Sequence, residues 1–545
     1  MYNVIGKSQV KKSCNAVKGR DRIRIIDNDQ GKGENMMASS VNRRQFLKTL
    51  GIGAMSLTLP YTYQNCNARE NAARRPNFVF ILVDDLGWMD IGANGSPFYE
   101  TPNVDKLAEE GIRFTQAYAA APICSPTRAS ILTGKHPARL HLTQWIGGPG
   151  NPDYVKNLPL EEVLLPEVLK ENGYQTGFFG KWHLNNKAGE GKYWPDKQGF
   201  DVNVAGHWRG GLYIPNKFFS PWDIPNIKNG PEGEYMTDRL ASEAANFIED
   251  HKDNPFLVYL SFYTVHAPFS APKDRVETYE QKKTKLGLSD KERFGQYEAR
   301  GRTFQYRKTQ DHPTYAAMVK SMDMAVGTVL DKVKKLGLED DTVVIFFSDN
   351  GGLSTSEGTP TANTPLRAGK GWLYEGGIRE PAIIKWPRRV KPGTVSDAMI
   401  TSMDFFPTIL DMASLPLRSD LHKDGKSLVP LLQRKTDQVH EAVYFHYPHR
   451  SNQRGAPSGA LRVGDYKLIN FFDDNKLELY NLKDDISETR NLAESMPELR
   501  DSLLGMLQGW WDQVNAEFPD GYKKIPNIPI KKEQTLSHVS TSAES

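Results

Sequence analysis

Cysteine is nearly absent: 545 residues contain three, Cys14, Cys66 and Cys124. That excludes a disulfide-stapled scaffold, and no Cys or His cluster has the spacing of a zinc site. A net charge of +3 is small for the length and excludes the broad basic surface of a nucleic-acid binder. Long hydrophobic runs are missing too; the stretch from Leu50 to Leu59 is too short to cross a bilayer. What remains is an ordinary globular composition, 39% hydrophobic and 25% charged, on a chain long enough for more than one packed unit. Aromatic residues, at 10%, suit amphipathic ligands such as carbohydrates, although cores use them as well.

The first 68 residues read as an address. Arg43 and Arg44 precede Phe46, Leu47 and Lys48, then the short apolar stretch, then Cys66-Asn67-Ala68 with small residues near a cleavage point. This is the layout of a twin-arginine export signal, so the expected location is periplasmic or secreted and the expected early partner is the twin-arginine machinery. Translation could start at Met1, Met36 or Met37, and a lipid anchor on Cys66 is the competing reading of that region. An exported chain trimmed there keeps Cys124 alone, which has no internal partner for a disulfide.

Several Val-, Ile- and Phe-rich runs stop abruptly at polar residues. PNFVFILVDD ends on Asp84-Asp85, DTVVIFFSDN on Asp349-Asn350, GYQTGFFGKWHL on Lys181 and His183, and NPFLVYLSFYTVH on His266. Such runs predict strands buried on both faces. Helical patterns lie between them: Thr101–Gly111, Pro166–Gly173 and Thr314–Gly337. The expectation is an α/β fold, a large sheet flanked by helices, with ligands at the carboxyl ends of its strands. Beyond Glu441, short alternating strands and the pattern MPELRDSLLGMLQGWWDQV predict a smaller antiparallel sheet packed on a helix. The expected division is residues 1–68 as extension and signal, 69–440 catalytic, 441–530 a C-terminal subdomain and 531–545 a tail. The segment Lys273–His312 is charged and poorly patterned, and reads as an insertion or a flexible lid.

The chemistry gathers at those strand ends. Asp84, Asp85, Asp349 and Asn350 offer three carboxylates and one amide oxygen. Each pair alone is an ordinary turn former, but all four together need a hard cation, calcium fitting better than magnesium because it accepts several carboxylates in irregular geometry. No second ligand set is visible. After Cys124, Pro126 fixes a first helical turn and TRASILTG continues to Gly134. A helix start offers free N–H groups to an anion, and Arg128 adds a donor fork.

At these residues the chain resembles the sulfatase family. Cys124-Ser125-Pro126-Thr127-Arg128 matches its signature of Cys, any residue, Pro, any residue, Arg, and GYQTGFFGKWHL matches its second signature. VDDLGWMD, FSDNGG, PLRAGKGWLYEGGIREP and GDYKLINFF…LELYNL follow the family's block order, from Pro76 to about Ala493. The resemblance implies an alkaline-phosphatase-like fold and a Cys124 oxidised to 3-oxoalanine (formylglycine) by a formylglycine-generating enzyme. Its hydrate would attack the sulfur of a sulfate ester, and loss of the second hydroxyl proton would then expel sulfate. Asp84, Asp85, Asp349 and Asn350 resemble the calcium ligands, with modified Cys124 also at the metal. Arg128 and Lys181 match residues holding the diol, His183 the base for the second step, and His266 with Lys370 the sulfate-binding pair, His266 being the proton donor.

The substrate implied is a sulfated carbohydrate, of galactose or N-acetylgalactosamine type in an algal polysaccharide or glycosaminoglycan. His141, Gln144 and Trp145 in HPARLHLTQW, and His446 and His449 in YFHYPHR, are further candidates for its mouth. Two rivals stay open: a phosphonate or phosphate ester hydrolase of the same superfamily, and a protein that binds sulfated glycans without turnover.

Overall fold

The computed structural model describes residues 75–213, 218–288, 293–299 and 302–526. The export signal, the Cys66 alternative and the tail from 531 lie outside these residues. The described residues fall in one compact unit. In chain order the strands are β1 (Asn77–Val83), β2 (Ile112–Tyr118), β3 (Gln175–Gly180), β4 (Val202–Val204) and β5 (Phe256–Ser261). Then come β6 (Phe294–Ala299), β7 (Arg302–Arg307), β8 (Thr342–Ser348), β9 (Arg379–Lys385), β10 (Thr394–Ser396) and β11 (Ile400–Thr401). The last four are β12 (Ala442–Tyr447), β13 (Ser458–Val463), β14 (Tyr466–Phe471) and β15 (Leu477–Asn481).

Nine strands form one mixed sheet, ordered β10-β2-β9-β8-β1-β5-β3-β4, with β11 beside β2. β1 pairs in parallel with β5 and β8, whereas β9 runs antiparallel to both β8 and β2. The period-two pleat explains why the central runs look uniformly apolar. Val79, Ile81, Val344 and Phe346 enter one core with the helices Met236–Asp250 and Pro313–Lys335. Their neighbours Phe78, Phe80, Val343 and Ile345 enter the opposite core with the helices Cys124–Thr133 and Phe405–Met412. Both faces are covered, so neither can be polar.

A four-stranded antiparallel sheet, β12-β13-β14-β15, follows. The helix Pro497–Val514 packs on it through Leu503, Leu507 and Trp511 against Leu461, Leu468 and Leu479. No described helix is long and apolar enough to cross a membrane.

Lys273–His312, read from sequence as an insertion or a flexible lid, holds the helix Lys273–Lys285 and the β6–β7 hairpin among its described residues. Phe304 of the hairpin sets its ring edge-on against Trp372, centroids 5.0 Å apart. Only a few side chains of this segment face the core, with Tyr279 the buried one on its helix, so the hydrophobic period is faint.

Candidate active site

β1, β5, β3 and β8 point their carboxyl ends the same way, as the parallel pairings require. β2 shares that direction, because it is antiparallel to β9, which is itself antiparallel to β8. The chain leaving β2 turns into the helix Cys124–Thr133, every residue of which is buried. Gly134 ends that helix at φ 63°, where a Cβ would lie 2.4 Å from the Cβ of His422, so glycine is required for conformation and for space.

Asp84 and Asp85 follow β1, and Asp349 and Asn350 follow β8; all four are fully buried. Asp85 adopts φ 61° and His183 φ 54°, a region costly for side chains with a Cβ, which re-aims both at the ends of their strands. Arg128 reaches from the buried helix to Asp349, with Nε 2.8 Å and Nη2 2.7 Å from Oδ2. Its Nη1 donates to the Lys181 carbonyl at 2.8 Å and to Ser261 Oγ at 2.7 Å. Lys181 Nζ donates to Asp84 Oδ2 at 2.7 Å, and Lys370 Nζ to Asp85 Oδ2 at 2.8 Å. Asn350 donates its amide to Asp85 Oδ1 at 2.8 Å.

Electrostatics follow from burial and from these neighbours. Burial pushes the Asp84 carboxyl well above its usual range, against Lys181 and with Asp349 and Asp85. Burial acts on Asp85 likewise, but Lys370, His266 and Lys181 outweigh it and hold that carboxyl low. Burial, followed by Lys181, drives the His183 imidazole to its neutral form. Its Nε2–H donates to the Ile146 carbonyl at 3.0 Å, which leaves the Nδ1 lone pair facing Cys124 Sγ at 3.3 Å. That is the geometry of a base beside a nucleophile. His266 has Nε2 3.7 Å from Asp85 Oδ2 and donates Nδ1–H to the Ala267 carbonyl at 2.5 Å; burial, then Lys370, lowers it to about 4.

Asp84, Asp85 and Asp349 bring carboxylate oxygens within 4.8 Å of one another. Asp84 Oδ1 and Asn350 Oδ1 are buried without a hydrogen-bond partner. Crowded carboxylates and orphaned oxygens fit a hard cation, which would take up the unpaired acceptors.

Trp145 joins Cys124, His183, His266 and Lys370 around a cavity of about 220 Å3. The other mouth candidates lie elsewhere. His446 is buried under the small sheet, its Nε2 donating to the Glu517 carbonyl at 2.7 Å. His449 meets Thr143 Oγ1 at 2.8 Å, Gln144 accepts from the Tyr447 hydroxyl at 3.0 Å, and His141 faces Glu517 at 3.5 Å. None of these four lines the cavity.

Sequence reasoning missed Glu357, Asn452 and Gln453, which line the same cavity from loops with no strand-end signal. It also expected no second ligand set, yet Asp85, His266 and Glu357 converge within 4.8 Å. These three are far apart in sequence, so no spacing could reveal them. The Lys370 ammonium already stands 2.8 Å from Asp85, and a second cation there would face it at close range.

Comparison with known proteins agrees with this geometry. The sulfatase family model matches residues 76–415, and the model of the N-sulphoglucosamine sulphohydrolase C-terminal region matches 368–508. The chain is 30% identical to a sulfatase of Formosa agariphila, over 86% of this chain and 94% of the relative. It is 34% identical to human N-acetylgalactosamine-6-sulfatase, over 73% and 72% of the two chains. The crystal structure of Ps i-CgsB in complex with k-i-k-neocarrahexaose superposes with a TM-score of 0.67 at 27% identity, covering 86% of this chain and 98% of that one. The chain belongs to the sulfatase family and is a sulfuric ester hydrolase.

Proposed function

We propose that this chain removes sulfate from a sulfated carbohydrate, with Cys124 converted to formylglycine and a calcium ion held by Asp84, Asp85, Asp349 and Asn350. The observation that carries the reading is the meeting of Cys124, the His183 lone pair and the carboxylate trio in one buried cluster. The names of two relatives support the carbohydrate: N-acetylgalactosamine-6-sulfatase, and a structure holding a neocarrahexaose.

Formylglycine would supply a hydroxyl nucleophile and a means of releasing sulfate, and calcium would neutralise sulfate oxygens. Asp84, Asp85 and Asp349 balance Arg128, Lys181 and Lys370 in formal charge, so a divalent ion would leave the cluster positive, which suits an anionic ester. The chain's own groups do the rest. Arg128 and Lys181 fix the carboxylates and the nucleophile beside them. His183, neutral with Nδ1 free, accepts a proton at the position Cys124 Sγ now marks. Lys370 and His266 flank the leaving oxygen, and the negative ester would favour a protonated His266.

Mass analysis of the Cys124 peptide tests the reading: conversion exchanges sulfur and two hydrogens for one oxygen. An unmodified thiol in fully active protein from the native host would refute it. The Asp85–His266–Glu357 trio gives phosphate esters a second claim, so rates on aryl sulfate, phosphate and phosphonate should be compared. A phosphate preference would replace this proposal.

A further inference from the structure

A second cavity of about 500 Å3 adjoins the inner one, and Trp145, His183 and Tyr213 line both. A cavity that size falls in the ~300–1,000 Å3 range of sites that enclose whole small molecules, far more than one sulfate group needs. Trp208, Arg209 and Lys187 stand in its wall. The Arg209 guanidinium lies 5.6 Å from the Trp208 ring centroid and Lys187 Nζ lies 5.9 Å from it. Asp223 steadies Arg209, accepting from Nη2 at 3.0 Å and, through its carbonyl, from Nη1 at 2.6 Å. Lys187 is exposed and pairs with no described carboxylate. The wall thus combines a flat apolar ring with cations at its rim, one of them uncommitted.

The loop carrying Trp208 is fixed to the reacting centre. A Cβ on Gly210 would lie 2.3 Å from Cε1 of His183, and one on Gly211 would lie 3.0 Å from Nδ1 of His266. Glycine lets the backbone settle directly on both imidazoles, and Trp208, two residues before Gly210, lines the same cavity as His183.

We propose that the outer cavity is a second sugar site. It takes the residue next to the one losing sulfate, stacks that ring on Trp208, and reads an anionic group on it, a carboxylate or another sulfate, through Lys187 and Arg209. The enzyme therefore acts within a polyanionic chain rather than on a lone sulfated sugar. This rests on the sulfated-carbohydrate reading above.

The test uses the full mature chain and five probes: 4-nitrophenyl sulfate, a chondroitin sulfate tetrasaccharide, its carboxyl-reduced form, and κ- and ι-neocarratetraose sulfates. The expected result is a higher kcat/KM for the charged-neighbour member of at least one pair. In Lys187→Ala/Arg209→Gln that preference should fall by about 10-fold or more, the size of a lost charge-assisted hydrogen bond. Trp208→Ala should lower kcat/KM on both members of the pair alike. 4-Nitrophenyl sulfate turnover should stay unchanged in all variants, which also certifies that they fold; Lys187→Ala alone, at an exposed position, is the fallback. Aryl sulfate turnover without any preference for a charged neighbour, or a preference that survives the double variant, overturns the second site. No turnover of any sulfate ester would instead sink the functional reading itself.

Discussion

Two of the buried charge clusters among the described residues are built differently. At the carboxyl ends of β1 and β8, three carboxylates crowd within 4.8 Å, and Asp84 Oδ1 and Asn350 Oδ1 have no hydrogen-bond partner. Where the small sheet meets the large one, Lys467 Nζ lies 2.9 Å from both Glu375 Oε1 and Glu488 Oε1. There Glu488 Oε2 also accepts the Glu375 backbone N–H at 2.7 Å, and the Tyr118 hydroxyl donates to Glu375 at 2.9 Å. Lys467, Arg379 and Arg462 outweigh burial and lower Glu375 to about 2. The seam sets only two carboxylates on one lysine, and Glu488 Oε1, without a hydrogen-bond partner, is held by that ion pair. The strand-end cluster presses like charges together and leaves acceptors over, which costs stability and pays off only through something bound. Burial of charge alone therefore does not mark a site; three carboxylates crowded within reach of one ion, beside an unpaired amide oxygen, do.

The sharpest way to test that contrast is to remove the nucleophile. Cys124→Ala should abolish turnover with a melting temperature close to that of the parent, since one small buried side chain replaces another; activity assays with thermal melts check both halves. Next comes a matched pair of charge deletions. Asp349→Ala strips Arg128 of its carboxylate and should remove activity together with about 3–5 kcal/mol of stability. Lys467→Met at the seam should cost a similar ~3–5 kcal/mol because two carboxylates lose their cation, yet the folded fraction should keep its kcat. Equal catalytic loss in both variants would erase the distinction between the clusters. Chelation sharpens it further: removing divalent ions should lower activity and melting temperature in the parent, and should leave Asp349→Ala melting where it did before.

A smaller effect concerns the loop over the histidines. Gly210→Ala should displace His183 and lower kcat by about 100-fold, as misplacements of about 1 Å at reacting groups do, with little change in melting temperature. The smallest effect separates His446 from the chemistry. Burial lowers its imidazole to about 3, so the folded state resists the proton that the unfolded chain accepts below pH ~6.5. Stability should thus be full above that pH and decline on acidification toward pH 3, by about 1 kcal/mol for this residue at pH 5.5. Denaturant melts of His446→Gln should show a shallower acid decline, with kcat at neutral pH unchanged.

Much of this was readable from the chain because local rules and tertiary structure agree. The central strands are apolar on both faces, so they stood out as unbroken runs, and the polar residues ending them had to lie together at one rim once the strands ran parallel. Asp84, Asp85, Lys181, His183, His266, Asp349 and Asn350 were visible for that reason, and Cys124 through the signature around it. The sequence alone therefore determined the sheet, the rim and the family. It could not determine what depends on the meeting of loops. Glu357, Asn452, Trp208 and Gly210 carry no period and no motif, and His446 looks the same in sequence whether it faces a cavity or Trp511. Only the tertiary structure decided these, because a loop's position is set by the surface it lands on, and that surface is assembled from residues hundreds of positions away.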